Sequence, residues 1–106
     1  MIDIKLLIEK AFEAQKFCYT PYSNFNVGAA LLGANGKIYQ GCNIENAAYT
    51  PTNCAERTAF FKAISEGQKE FTAIAVVGNK EGKNKEKETS VHLVLYVDKL
   101  WLSFVI

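Results

Sequence analysis

The residues of this sequence best suited to chemistry are Cys54 and Glu56, two positions apart in the stretch Cys54-Ala55-Glu56-Arg57. A cysteine thiolate binds metal ions, and a carboxylate beside a bound metal can share a water molecule with it. A helical pattern begins at this stretch and ends at Gly67. The partial positive charge of a helix N-terminus favours a thiolate there. The spacing therefore predicts a metal ligand and a carboxylate on the first turn of one helix.

The same stretch also has a purely structural interpretation. Asn53 is a good N-cap, which would make Cys54 the first helical residue and Glu56 the third, where a Glu closes a capping box. Gly67 suits the position just after a helix end. Cys54 would then be an ordinary small buried residue. From these residues alone, capping is the commoner explanation of the pattern.

Length and composition narrow the class of protein. The 106 residues fit a single domain, and a hydrophobic content of 49% is enough for a core. A net charge of +1 argues against a nucleic-acid-binding module. The three cysteines form no disulfide framework, and the sequence shows no signal peptide or long apolar run, so a reduced cytoplasmic setting is expected.

The first predicted element is an amphipathic helix over residues 3 to 18, which Asp3 can cap. Its apolar stripe predicts that Cys18 lies in the core. The stripe consists of Ile4, Leu7, Ile8, Ala11 and Cys18, with Phe12 beside it.

A hairpin follows. Residues 25 to 32 show the period of two that is typical of a strand, and Asn35-Gly36 is the strongest short signal for a hairpin turn. Ile38 to Cys42 is predicted to be the returning strand. Small residues at 28 to 30 leave room for a close approach to the first strand.

The remaining elements complete an α/β pattern. Ala55, Ala59 and Ala63 form a ridge that would let their helix, residues 54 to 66, lie close to a sheet. Phe71 to Val77 reads as a buried strand, and residues 79 to 88 as a solvated loop. A sheet with helices on its faces fits this order best. Before the helix, Asn43 to Asn46 could bind a polyol or a base, although a plain turn is the commoner explanation.

Three blocks of the sequence strongly resemble the cytidine deaminase family. They are YSNFNVGAAL at 22–31, GCNIENAAY at 41–49 and CAERTA at 54–59, and their order and gaps match as well. The resemblance implies a three-layer fold with a mixed sheet between helices, whose C-terminal part is truncated or replaced here. Residues 1–106 would form one domain, in which 1–88 match the family and 89–106 form a non-matching tail.

The resemblance also implies a reaction and a role for each matched residue. The reaction would be hydrolytic deamination of cytidine or deoxycytidine in pyrimidine salvage, by a homotetramer whose zinc activates the attacking water. Cys54 would bind zinc, Glu56 would shuttle the proton, and Arg57 would donate to the zinc thiolates. The substrate contacts would be Ala55 to the pyrimidine, Phe25 near the base, Asn43 and Glu45 to the ribose, and Tyr49 to a neighbouring subunit's site.

The sequence departs from the family after the predicted strand at Phe71 to Val77. The family has P-C-x-x-C there, but the cysteines of this chain are Cys18, Cys42 and Cys54 only. One thiolate falls well short of the four tetrahedral ligands that a closed zinc site requires. His92 is the only histidine. It could in principle be a further zinc ligand, but an ordinary strand-edge residue is the commoner explanation for it.

A shifted reading frame would account for the missing motif. Codons compatible with residues 92–104 can spell P-C-x-x-C-R-Q-x-M-x-E-F in the alternative frame. We therefore hypothesise that the frame shifts near Glu88 and that deamination is impaired. The alternative function is that of a catalytically inactive remnant that at most associates with intact subunits.

Overall fold

The computed structural model describes residues 3–45, 54–80, 90–97 and 100–105. Within these ranges the chain forms helices on both faces of one sheet. The elements, in chain order, are α1 (Ile4–Ala14), a 3-10 turn (Gln15–Phe17), β1 (Phe25–Gly33), β2 (Ile38–Cys42), α2 (Ala55–Ser65), β3 (Phe71–Lys80), β4 (Ser90–Val97) and β5 (Leu100–Val105). No helix in this part of the chain is both long and apolar enough to cross a membrane.

The five strands form one sheet in the order β2-β1-β3-β4-β5. Each neighbouring pair is antiparallel. The parallel pairing expected of a mixed sheet occurs, among the described residues, as the isolated bridge between Tyr19 and Ile44. The strand order places the hairpin of β1 and β2 at one side of the sheet and the tail strands at the other.

Each helix covers one face of the sheet, because successive strand residues point to opposite faces. Ala30 of β1 packs in a cluster with Leu7 and Ala11 of α1. Ala29, its neighbour in sequence, packs in a second cluster with Ala59 of α2. The predicted arrangement of a sheet between helical layers is confirmed.

Two glycines let the helices lie directly on the sheet. A Cβ atom at Gly28 would collide with the backbone oxygen of Ala11 in α1. A Cβ atom at Gly41 would collide with the backbone oxygen of Ala55 in α2. The predicted close approach to β1 is therefore confirmed, and the approaching element is α1.

The first helix is shorter than the predicted span of residues 3 to 18. The Asp3 cap is confirmed, since its Oδ1 accepts a hydrogen bond from the backbone N–H of Leu6 at 3.0 Å. The α-helix ends at Ala14 and tightens into the 3-10 turn. Cys18 follows in extended backbone and is half-buried, so its predicted place in the core is wrong.

The second helix begins one residue later than predicted. Cys54 is the N-cap rather than the first helical residue, which makes Glu56 the second helical residue rather than the third. Asn53, the predicted N-cap, lies outside the described residues. At the other end Gly67 has a φ of +93°, which confirms its predicted role just after the helix.

The hairpin agrees with its prediction. Gly36 has a φ of +86°, and Leu32 pairs with Ile38 across the turn. β3 continues to Lys80, three residues past the predicted end at Val77 and into the predicted loop. Residues 81–88, the rest of that loop, lie outside the described ranges.

From residue 90 the tail forms two strands, β4 and β5, that no sequence pattern predicted. His92 of β4 pairs with Val76 of β3 and with Val105 of β5. Because β4 lies between β3 and β5, the interpretation of His92 as a strand-edge residue is wrong.

Candidate active site

A cleft of about 440 Å³ lies where the N-terminus of α2 meets the ends of the central strands. Its volume is within the range of small-molecule sites. Six of the residues predicted from the sequence line it, namely Phe25, Asn43, Glu45, Cys54, Ala55 and Glu56. The predicted geometry, with Asn43 and Glu45 in the same cleft as the start of the helix, is confirmed.

Cys54 and Glu56 stand at the mouth of α2. The Sγ of Cys54 accepts a hydrogen bond from the backbone N–H of Arg57 at 3.4 Å, so the sulfur faces the first turn of the helix. The Cys54 carbonyl accepts from the backbone N–H of Thr58 at 3.1 Å and closes that turn. Cys54 is exposed and Glu56 is half-buried. A metal-binding sulfur and a carboxylate therefore share one wall of the cleft.

Asn43 holds the edge of β1 with its side-chain amide. Its Oδ1 accepts from the backbone N–H of Val27 at 3.0 Å, and its Nδ2 donates to the carbonyl of Phe25 at 2.8 Å. These bonds extend the pairing of β2 with β1 past Cys42. They use one N–H group and one lone pair of an amide that has two of each.

Glu45 holds the turn that precedes β1. Its Oε1 accepts from the backbone N–H groups of Tyr22 at 3.0 Å and Ser23 at 3.1 Å, and its Oε2 accepts from the Ser23 hydroxyl at 2.5 Å. The bond from the Ser23 hydroxyl lowers the pKa of Glu45, burial opposes this, and the two backbone N–H groups lower it further. Glu45 is therefore an anion at neutral pH.

Phe25 forms another wall of the cleft. Its ring lies over Gly78 of β3, where an added Cβ atom would be 3.0 Å from the ring. Val27 lies two residues further along β1 and lines the cleft as well. Sequence reasoning missed Val27, although the period of two in β1 puts it on the same face as Phe25.

The tail brings further side chains into the cleft. Ser90 and His92 line it, together with Val76 and Gly78 of β3. Sequence reasoning did not assign Ser90, Val76 or Gly78, because their place depends on the register of β3 with β4. His92 is exposed and reaches the same cleft as Cys54.

The donor atoms that the described residues bring to this cleft do not make up a zinc site. In the described part of the chain, no three His, Cys, Asp or Glu side chains come together as a metal-binding group. A structural zinc takes four protein ligands, and a catalytic zinc takes three. Cys54 supplies one thiolate, and a set of ligands for zinc is lacking among these residues.

Unlike the six residues above, Arg57 is not among the described residues that line the cleft. Arg57 is exposed and contacts Cys54 through its backbone N–H. Tyr49 lies outside the described residues.

Comparisons with known proteins all point to one family. The family model for the "cytidine and deoxycytidylate deaminase zinc-binding region" matches residues 1–93. The chain is 58% identical over 81 residues to a cytidine deaminase of Sporosarcina psychrophila, covering 76% of this chain and 60% of that relative. It is 55% identical over 78 residues to one of Halalkalibacterium halodurans, covering 74% of this chain and 59% of the relative. The chain thus spans about three fifths of the length of these relatives.

A solved structure agrees with the sequence matches. The crystal structure of a cytidine deaminase from Burkholderia pseudomallei has a TM-score of 0.71 and 52% identity. The match covers 78% of this chain and 67% of the other. The fold is therefore shared with that protein over about four fifths of this chain.

Proposed function

Since this chain belongs to the cytidine and deoxycytidylate deaminase family, we propose that its cleft is the substrate site of a hydrolase acting on cytidine or deoxycytidine. The observation that carries the proposal is the meeting of Cys54, Glu56, Asn43 and Glu45 in one cleft. They come from two elements that are separate in sequence. The reaction replaces the amino group at C4 of the pyrimidine with oxygen from water.

Each residue of the cleft has a proposed part in that reaction. Glu56 carries a proton between the attacking water and the base, because a carboxylate at the mouth of the helix can reach both. Phe25 packs against the base, and the backbone of Ala55 binds its polar edge. Asn43 and Glu45 bind the ribose through the lone pairs and the N–H group that are not used in their bonds to β1 and to the turn before it.

The metal site is proposed to be incomplete. The family's zinc supplies an activated water. Cys54 would be one ligand of that zinc and Arg57 a donor to its thiolates, but Cys54 is the last cysteine of this sequence. We attribute the missing pair of thiolates to a shift of reading frame near Glu88. Residues 89–106 would then be an unrelated tail on a domain of residues 1–88, although the match to the family model extends to residue 93.

The setting of the protein is also part of the proposal. The chain is proposed to act in pyrimidine salvage in the cytoplasm and to assemble as a homotetramer, in which Tyr49 reaches a neighbouring subunit's site. The single thiolate favours a second candidate function, that of an inactive remnant which only associates with intact subunits.

Turnover by two chains tests the proposal. The given chain and a chain restored to the alternative frame after residue 88 are each incubated with cytidine and deoxycytidine, and the loss of substrate absorbance is followed. We expect turnover by the restored chain only, and its loss in a Glu56→Gln variant of that chain. No turnover by the restored chain on either nucleoside would overturn the proposed activity. Equal turnover by both chains would overturn the proposed impairment.

A further inference from the structure

Two cysteines lie together outside the cleft, where the 3-10 turn after α1 meets the end of β2. Cys18 follows that turn, and Cys42 is the last residue of β2. Cys42 pairs with Gly28 of β1, so its side chain points to the same face of the sheet as the Gly28 position. That face is the one covered by α1, because a Cβ atom at Gly28 would collide with Ala11.

A second contact confirms which face Cys42 occupies. Gln40 lies two residues before Cys42 and therefore points the same way. Its Nε2 donates to the backbone carbonyl of Lys10 in α1 at 2.9 Å. The absence of a side chain at Gly28 lets α1 and its 3-10 turn lie on the sheet, and this brings Cys18 to the end of β2.

Hydrogen bonds fix the two cysteines side by side. The Cys18 thiol donates to the carbonyl of Val27 at 3.2 Å, and the same oxygen accepts from the backbone N–H of Asn43 at 3.2 Å. The N–H of Tyr19 in turn donates to the carbonyl of Asn43 at 3.2 Å. The residues that follow each cysteine are therefore hydrogen-bonded. The two sulfurs are also close enough for each to affect the pKa of the other.

We propose that Cys18 and Cys42 form a dithiol site that small disulfides oxidise to an intramolecular disulfide. One thiolate attacks a sulfur of the oxidant RSSR and expels one RS⁻. The second thiolate then attacks the cysteine sulfur of this mixed disulfide and expels the second RS⁻. The cysteine sulfurs lose two electrons in total, the oxidant gains them, and the two thiol protons end on the two released RSH molecules.

The two sulfurs differ in solvent exposure and therefore have different roles in this exchange. Cys18 is half-buried and lines a cleft of about 870 Å³ formed by α1, the loop after it and the adjoining ends of β1 and β3. Cys42 is only 7% exposed. The oxidant therefore reaches Cys18 first, and Cys42 resolves the mixed disulfide. Neither sulfur touches the proposed substrate cleft, so the inference does not rest on the proposed function.

Both sulfurs are thiols at neutral pH in the described structure. Burial, together with the charge of neighbouring Cys42, raises the pKa of Cys18 to about 11. Burial also raises the pKa of Cys42. Because thiol exchange needs a thiolate, the oxidation is slow and requires excess oxidant.

Mass spectrometry of the folded chain tests the proposal. The full chain and its Cys54→Ser variant, which lacks the third thiol, are treated with excess oxidised glutathione under native conditions. We expect both to end with a mass lower by two hydrogen atoms, with Cys18 and Cys42 linked in the peptide map and released by dithiothreitol. Matched Cys18→Ser and Cys42→Ser chains should lack this product.

Thermal unfolding serves as the second measurement. A disulfide that forms in the native fold closes a loop in the unfolded chain, so the oxidised chain should melt roughly 10 °C higher than the reduced one. An oxidation that stops at glutathione adducts, or a link through Cys54 or between chains, would overturn the proposal. A Cys18–Cys42 link that lowers the melting temperature would also overturn it.

Discussion

Asn43 and Glu45 line the proposed substrate cleft and at the same time hold its walls in place. Asn43 bonds to the backbone of β1 through both ends of its amide. Glu45 bonds to the turn at Tyr22 and Ser23 through both carboxylate oxygens. A sequence pattern shows that such residues are polar and close to the site, but it does not show that their hydrogen bonds go to the protein itself.

Substitution of Asn43 should therefore reduce stability as well as substrate binding. Asn43→Ala leaves the N–H of Val27 and the carbonyl of Phe25 without their partner. We expect the free energy of unfolding, measured by urea denaturation, to fall by about 2 kcal/mol. Asn43→Asp, which keeps an acceptor for Val27 but loses the donor to Phe25, should cost less. Unchanged stability in Asn43→Ala would contradict the structural role.

Glu45 should make stability depend on pH in the acid range. Its pKa lies below the ordinary value of 4.5 in the folded chain. The stabilising effect is therefore complete above that value, and it is lost as the pH falls from there through the lowered pKa. Urea denaturation of the unmodified chain and of Glu45→Gln should show a stability gap above pH 4.5 that narrows below it. A gap that widens on acidification would contradict the assignment.

Among the helices and strands, the sequence predicted correctly those whose ends are marked by local turn residues. The hairpin and the residue after α2 carry glycines with positive φ, and the strand that returns from the turn runs from Ile38 to Cys42 as predicted. The start of α2 was one residue off, because Asn53 is a better N-cap by type than Cys54, yet Cys54 accepts the N–H of Arg57.

The tail could not be placed from its sequence. Residues 91 to 97 are apolar at nearly every position, so no period of two marks a buried face. The pairing of His92 with Val76 depends on contacts with β3 that are distant in sequence. Ser90, Val76 and Gly78 could not be predicted as residues of the cleft for the same reason, because their place depends on the pairing of β3 with β4.

Adding one methyl group at Gly41 should weaken the packing of α2 against the sheet. Gly41→Ala places a Cβ atom against the backbone of Ala55, which cannot move without shifting the helix. We expect a loss of about 3 kcal/mol in the free energy of unfolding. Gly36→Ala is the matched control, because its φ is +86° but an added Cβ there meets nothing within 4 Å, and it should cost about 1 kcal/mol. Similar losses in both variants would contradict the close approach.

Across the whole molecule, both the scaffold and the tail combine buried and exposed apolar side chains. The sheet between α1 and α2 buries its apolar residues on both faces. The tail leaves large apolar side chains exposed, namely Tyr96, Leu100, Trp101, Leu102 and Phe104, at 40% to 63% of their surface. The tail nevertheless packs on the scaffold through β4, since Leu93 is buried in the cluster with Leu7 and Val94 packs against the cluster on the other face. Large apolar side chains are also exposed before the tail, such as Phe17 and Tyr22.

The zinc content of two purified chains tests whether the metal site is incomplete in the given chain. The chain as given and the chain restored to the alternative frame after residue 88 are dialysed against the same trace of zinc, and bound metal is measured by atomic absorption. Cys54→Ser in the restored chain is the control for the ligand set. We predict close to one zinc per restored chain, and little zinc in the given chain and in the Cys54→Ser control. A full equivalent of zinc in the given chain would contradict it.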